Sequence, residues 1–370
     1  MADRGPEAAT IYSVAQRAGV SIATVSRVLR GVDTASVKTR DKVMAAAAEL
    51  DYAPQNSARS LASKRHRAYA VLMSDTTGPY YSELLMGFEA VASTADESVI
   101  VVTSTPDLDA AAMLTNLRGR VDGVMIAPSA ADEATQAKII NALPTVLVGM
   151  FPLPGSDLVI SESTTHAAEL TRHLLVDHGR RDLLFVGEPD GAADVRARFD
   201  GFQAAHAELG VRPKAPLLTH GANEAIGLAM VDKIFRRRAG IDALVCANDE
   251  LALSIMYGLR LRGLSIPDEL AVVGWDDVPT ARYVEPGLTT VRQPVREMGA
   301  RAAEVLRDRL AGTPVGEPHQ LPTELIIRAS CGCPPRNFLS LDSPQEQAGT
   351  ARRPRQTRRT AASEPKRKRS

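Results

Sequence analysis

Apolar positions along the 370 residues follow two different rhythms. From Thr10 to about residue 52 they repeat at helical spacing. Over 11–18, Val14, Ala15 and Ala18 share one face. Thr10 stands where a helix cap belongs, and Gly19 where a helix ends. Ser21 precedes a second helical run over 22–30, with Val25, Val28 and Leu29 at i, i+3, i+4, closed by Gly31. Ser36 precedes a third over 37–50, with Val43, Ala46, Ala47 and Leu50 apolar. Two helices joined by a tight glycine-containing turn and backed by a third predict a helix-turn-helix unit.

From residue 68 the rhythm changes. Short β-rich runs at 68–73, 98–103, 123–126, 145–148, 183–186, 243–247 and 271–274 alternate with helical stretches such as 81–95, 165–177, 198–209, 224–237 and 250–262. This alternation predicts βαβ units: an α/β fold with two parallel, Rossmann-like sheets whose ligands bind beyond the carboxyl ends of the strands. Residues 1–9 and 336–370 read as disordered.

Composition changes this picture in three ways. The chain is 44% hydrophobic, enough for a sizeable core, but no apolar run approaches the ~18–20 residues of a membrane span. The first residues, Met1-Ala-Asp-Arg-Gly-Pro-Glu, lack an apolar export segment, so a cytoplasmic protein is expected. Cys246, Cys331 and Cys333 form no CxxC and have no His-rich partner segment, so they read as reduced thiols. No metal site and no cofactor are expected, and nothing else supports Cys331-Gly-Cys333 as a redox pair.

Charge sharpens the division. The formal net charge is zero, but residues 1–67 carry +5, residues 68–335 carry −12 and residues 336–370 carry +7. An acidic body is a poor nucleic-acid surface, so any such contact is confined to the head. The basic tail reads as a solvated segment, with added nonspecific DNA affinity as the sharper alternative.

The segments Ile11-Tyr-Ser-Val-Ala-Gln-Arg-Ala-Gly-Val-Ser-Ile-Ala-Thr-Val-Ser-Arg-Val-Leu29 and Thr39-Arg-Asp-Lys-Val-Met-Ala-Ala-Ala-Ala-Glu-Leu-Asp-Tyr-Ala-Pro54 closely resemble the headpiece of the LacI family of bacterial transcription regulators. The resemblance runs from about Thr10 to about Ser330. It implies a headpiece over 10–53, a hinge over 54–67 and an effector-binding, dimerising core over 68–335 of the periplasmic-binding-protein type. The core would divide into an N-subdomain, about 68–160 plus 291–320, and a C-subdomain, about 161–290 plus 321–330.

Short polar residues at the start of a recognition helix reach base edges. Ser21, Ile22, Ala23 and Thr24 stand there, with Ser26, Arg27 and Arg30 outward. The resemblance makes Ile22 and Ala23 the base-choosing positions and Arg27 a base contact, suited to guanine O6/N7. Thr10, Ser21, Thr39 and Arg40 read as phosphate contacts or caps. In the hinge, Leu61 beside Ala58 and Asn56 would be wedged into the minor groove, as apolar wedges are at kinked base steps. Gln55 departs from the Asn usual in the family.

Further motifs carry the resemblance into the core: Thr76-Thr-Gly-Pro-Tyr-Tyr81, Arg198-Phe-Asp-Gly-Phe202, Cys246-Ala-Asn-Asp-Glu250, Val273-Gly-Trp-Asp-Asp277, Leu288-Thr-Thr-Val-Arg-Gln-Pro294 and Leu321-Pro-Thr-Glu-Leu-Ile-Ile-Arg328, the last taken as one final strand. Arg198, Asn248 and Asp276 offer donors, an amide and a carboxylate for neighbouring hydroxyls, and Tyr80, Tyr81 and Trp275 offer rings for a sugar face. Glu162 replaces an Asp of the family pattern, Gly78 an Asn and His166 a Gly. Asp249 reads as a helix cap and Tyr81 equally as a core residue.

The expected function is a dimeric regulator, a repressor by resemblance. It would bind a pseudo-palindromic double-stranded DNA operator under control of a small-molecule effector, a sugar, with a nucleobase or nucleoside as the alternative. A sugar-binding module without DNA function would leave the basic helical head unexplained. An enzyme is not expected: no P-loop, GxSxG or HExxH occurs, and Asp276 and Asp277, adjacent on a strand end, face opposite ways.

Overall fold

The computed structural model describes residues 9–29, 35–52, 65–74, 78–104 and 110–335. Arg30, Gln55, Asn56, Ala58, Leu61, Thr76, Thr77 and the tail 336–370 lie outside the described residues.

The head consists of α1 (Ile11–Ala18), α2 (Ile22–Leu29) and α3 (Val37–Glu49). Thr10 and Ser13 cap each other reciprocally, and Gly19 closes α1 in the left-handed conformation at φ 67°. Ser21 accepts from the Thr24 amide, and Ser36 from that of Thr39. The predicted apolar faces meet: Val14, Ala15, Ala18, Val25, Val28, Val43, Ala46 and Ala47 form one buried cluster. Arg17 pairs with Glu49 across α1 and α3 at 2.5 Å.

The body is α/β, with two parallel sheets. The larger contains β1 (Ala68–Met73), β2 (Ser98–Thr103), β3 (Gly123–Ile126), β4 (Thr145–Val148), β5 (Asp157–Ser161) and β10 (His319–Leu321), in the order β10-β5-β4-β3-β1-β2. All five ladders are parallel. Helices α4 (Pro79–Thr94) and α11 (Val295–Leu310) bury Leu84, Phe88, Met298, Ala302 and Leu306 with the inward residues of β1, β3, β4 and β5.

The smaller sheet is β6 (Leu183–Val186), β7 (Ala243–Cys246) and β8 (Ala271–Val273), also parallel. Around it stand α7 (Thr164–Arg172), α8 (Ala193–Glu208), α9 (Glu224–Arg237) and α10 (Asp249–Leu261). The run read as one final strand is two. Pro322, which cannot donate to a ladder, follows Leu321 of β10, and β11 (Glu324–Ile326) pairs antiparallel with β9 (Thr290–Arg292) instead. Bridges Val273 to Thr289 and Asp276 to Arg292 join β9 to the smaller sheet. The strands therefore hand over from one sheet to the other near residues 161, 292 and 322.

Two expectations need correction. The helical stretch over 165–177 is not uniform: α7 gives way to a π-helical turn, His173–Asp177. The cysteines do have histidine partners. That turn brings His173 and His178 beside Cys331 and Cys333, more than 150 residues along the chain, a juxtaposition no local spacing encodes.

Candidate functional site

On the head, α2 presents its first residues outward. Ser21, Ile22, Ala23 and Arg27 are exposed, while Thr24, Ser26 and Thr39 are half-buried. The Arg27 Nε donates to the Ala23 carbonyl at 3.2 Å, so Arg27 and Ala23 share one face of α2. Thr10, Ser21 and Thr39 all act in helix caps. Tyr12, 68% exposed on α1, was not singled out from the sequence.

The second constellation lies where the two sheets hand over. Arg198, on α8, is buried; its Nη1 donates to the Ala247 carbonyl at 2.6 Å, and its guanidinium carbon lies 4.9 Å from the Trp275 ring centroid. Asp276 follows Trp275 at the end of β8 with φ 124°, a conformation costly for a side-chain-bearing residue. Its carboxylate accepts from Gln293 Nε2 at 2.5 Å. Gln293 in turn accepts from Ser161 Oγ at 2.7 Å, and Ser161 Oγ lies 3.4 Å from Asp194 Oδ2. Residues of β5, α8, the β8 end and the segment after β9 thus meet in one chain of polar contacts.

The electrostatics are those of a dry cleft. Burial raises the Asp194 carboxyl to about 6, against the pull of Arg198 and the Ser161 hydrogen bond. Burial also raises Asp276, opposed by Arg198 and reinforced by the nearby Asp249. Burial and the carboxylates of Asp194 and Asp276 push the Tyr80 hydroxyl well above its ordinary value. Two buried donors, Arg198 Nε and Trp275 Nε1, have no hydrogen-bond partner among the described residues. Buried donors are rarely left unpaired in a folded protein.

Other candidates stand differently. Tyr81 donates to the Pro128 carbonyl at 3.1 Å and accepts from Ser74 at 2.9 Å, the core role held open for it. Glu162 caps α7, accepting from the Thr165 amide at 3.0 Å, and it is Ser161 that reaches the cleft. Asn248, not Asp249, caps α10: its Oδ1 accepts from the Leu251 amide and its Nδ2 donates to the Ala222 carbonyl. Asp249 is fully buried and accepts from Thr290 Oγ1 and the Val278 amide, tying α10 to β9.

Trp275 is only 2% exposed and has Arg198 over its ring, so it positions the guanidinium and does not offer the open face expected for a sugar. Asp277 pairs with Arg328 at 2.5 Å and Arg292 at 2.8 Å, away from the Gln293 contact of Asp276. At Gly78, a Cβ would stand 2.6 Å from Glu250 Oε1. That oxygen ends a flexible side chain that can swing aside, so the starts of α4 and α10 lie close without the contact itself excluding the Asn usual in the family.

Asp194, Ser161 and Gln293 were missed. Asp194 sits one helical turn before Arg198, an i, i+4 acid–base pairing that could have flagged it. Ser161 and Gln293 depend on the crossover geometry and left no local sign.

Residues 10–55 match the lacI family of bacterial regulatory proteins, and residues 172–331 the periplasmic binding protein-like domain. The transcriptional repressor PurR of Vibrio parahaemolyticus serotype O3:K6 is 30% identical over 309 residues, 82% of this chain and 92% of its own length. The chain belongs to the LacI family. The Lac repressor dimer bound to operator and the anti-inducer ONPF shares 26% identity, with a TM-score of 0.78 over 88% of this chain and 99% of its own. The regulator CelR in complex with cellobiose shares 27%, with a TM-score of 0.66 over 87% and 99%. The chain is thus a DNA-binding transcriptional regulator and not an enzyme. Among the described residues no helix is long and apolar enough to cross a membrane.

Proposed function

We propose that this LacI-family regulator is a homodimeric repressor whose affinity for a pseudo-palindromic operator is set by a sugar held between the two α/β subdomains. The set of groups around Arg198 carries the reading. A guanidinium and an indole N–H supply buried donors without partners among the described residues. Asp194 and Asp276, both raised by burial, can accept and, when protonated, donate. Tyr80 adds a ring and a neutral hydroxyl. Alternating donors and acceptors in a dry site suit neighbouring hydroxyls better than a charged ligand. The cellobiose bound by CelR, a relative of similar fold, supports the same class.

Ser161, Asp194 and Gln293 link the two sheets and the segment between them, so a ligand that reorders these contacts changes the angle between subdomains. Such a ligand acts only through its preference for one arrangement, and a coupling of ~1–3 kcal/mol to DNA binding is the usual scale. The headpiece over 10–53 and hinge over 54–67 would receive that change, placing the protein with the DNA in the cytoplasm.

The test is a thermal-shift screen of sugars, nucleobases and nucleosides on the full chain, followed by operator titration with each hit. A sugar should raise the melting temperature and change operator affinity by roughly 5–150-fold. Stabilisation by nucleobases or nucleosides alone would replace the sugar with that class. A stabilising sugar that leaves operator affinity unchanged would overturn the regulatory role.

A further inference from the structure

Away from the Arg198 cleft, four side chains converge that neither ligand nor DNA binding uses. His173 and His178 lie at the two ends of the π-helical turn, closed by the His178 amide donating to the His173 carbonyl at 3.3 Å. A π turn bonds residues five apart and is frequent at functional sites. Here it brings the two rings edge to face, centroids 4.6 Å apart, with their Nε2 atoms 3.1 Å apart.

The other pair comes from the turn after β11. Cys331 Sγ lies 3.4 Å from His173 Nε2; Cys333 Sγ lies 3.5 Å from His173 Nε2 and 3.4 Å from His178 Nε2. All four atoms lie within 4.8 Å of one another. Gly332 between the cysteines has φ 113°, and a Cβ there would stand 3.0 Å from His178 Nδ1, so both the turn and the approach of the ring require glycine. Neither cysteine is in a disulfide.

We propose that His173, His178, Cys331 and Cys333 bind one zinc ion. Zinc holds nitrogen at about 2.0–2.1 Å and sulfur at about 2.3 Å in a tetrahedron, which sets neighbouring ligand atoms roughly 3.3–3.8 Å apart. The observed N···S distances of 3.4–3.5 Å fall in that range, and the N···N distance of 3.1 Å is just short of it. Two imidazoles and two thiolates form a closed donor set that favours zinc over magnesium or calcium.

The surroundings fit as well. Asp177 Oδ2 lies 2.7 Å from His173 Nδ1, the carboxylate–histidine arrangement that holds the proton on Nδ1 and leaves Nε2 for a metal. Thr289 Oγ1 donates to Cys331 Sγ at 3.2 Å. Cys331 is buried while the other three are half-buried, so the site has both a dry side and an entry path. Bound zinc would staple the turn after β11 to the π turn, beside the Thr289 and Ser330 contacts that join the crossover strands.

The test is metal analysis of the full chain, purified with a non-chelating reductant and no chelator, alongside Cys333→Ser and His178→Asn. About one zinc per chain is expected, lost in both variants while circular dichroism and operator binding persist. Cobalt titration of the zinc-free wild type should give intense tetrahedral d–d bands and thiolate charge-transfer bands, a readout independent of how the variants fold. Reduced wild-type protein that retains no zinc and gives no such cobalt spectrum would overturn the site. So would zinc that persists in Cys331→Ser/Cys333→Ser.

Discussion

The Arg198 guanidinium carbon lies 4.9 Å from the centroid of the Trp275 ring, and both side chains are buried with a donor nitrogen left without a partner among the described residues. The ring therefore holds the guanidinium in place. A desolvated cation–π contact of this kind is worth about 2 kcal/mol. Arg198→Ala should abolish the effector response while operator binding survives, because the DNA face lies on the separate head. Arg198→Lys keeps the charge but not the planar fork and should weaken the response without removing it. Fluorescence anisotropy of labelled operator, titrated with the stabilising sugar, measures both. A normal response in Arg198→Ala would remove this residue from the site.

Asp194 gives the cleft a pH signature. Its folded-state value of about 6 stands above the ~3.9 of an exposed aspartate. Between about pH 4 and 6 the folded chain therefore binds more protons than the unfolded one, so stability falls as pH rises through that window. Above it the buried charge costs on the order of 3 kcal/mol. Asp194→Asn should melt higher than wild type at neutral pH, and the difference should close as pH approaches 4. Melting curves of the ligand-free proteins across this range decide the point; parallel curves would contradict a destabilising buried carboxylate.

Periodicity revealed most of the architecture because helices and parallel strands leave a local trace. The three head helices and the central strands of both sheets stand within a residue or so of their expected places. The short strands β5, β9, β10 and β11 were not separated, since three to five residues bordering Pro322 or a crossover carry too little pattern. In the cleft, Arg198 and Asp276 were legible because the motifs that contain them, 198–202 and 273–277, resemble those of the family. The contacts of Ser161 with Gln293, and of His173 with Cys331, join residues 132 and 158 positions apart and exist only once the sheets are assembled. Tertiary position also decided between chemically similar neighbours. Asn248 caps α10 and Asp249 is buried, although both residue types are good caps.

The head makes a prediction about operator choice. Arg27 is exposed on the same face as Ala23, one turn away. Arg27→Ala should cost ~1–3 kcal/mol on the preferred operator and relax discrimination at one base pair per half-site. Wild-type affinity should fall steeply with salt, with ~0.9 counterions released per phosphate contact. Binding measured on an operator and its single-base variants at two or more salt concentrations separates these effects. A uniform loss across all sequences would make Arg27 a phosphate contact.

An exposed apolar face bears on assembly. Tyr257 and Leu261 on α10 are 61% and 71% exposed, and Tyr283, next in the chain to Val284, is 79% exposed. Tyr257 and Leu261 line a groove of ≈ 420 Å³ with Leu253, Met256, Arg260, Val284 and Glu285. Large apolar side chains clustered on one face mark an interface, and a two-fold dimer would bury this face against its own copy. Reading two half-sites requires such linkage, since joining two headpieces makes the second contact intramolecular. Leu261→Asp places a charge in the middle of that face. The variant should sediment as a monomer and bind operator on the order of 10²-fold more weakly, while its thermal response to the stabilising sugar persists. Analytical ultracentrifugation paired with operator titration checks both outcomes, and a Leu261→Asp protein that remains dimeric would place the interface elsewhere.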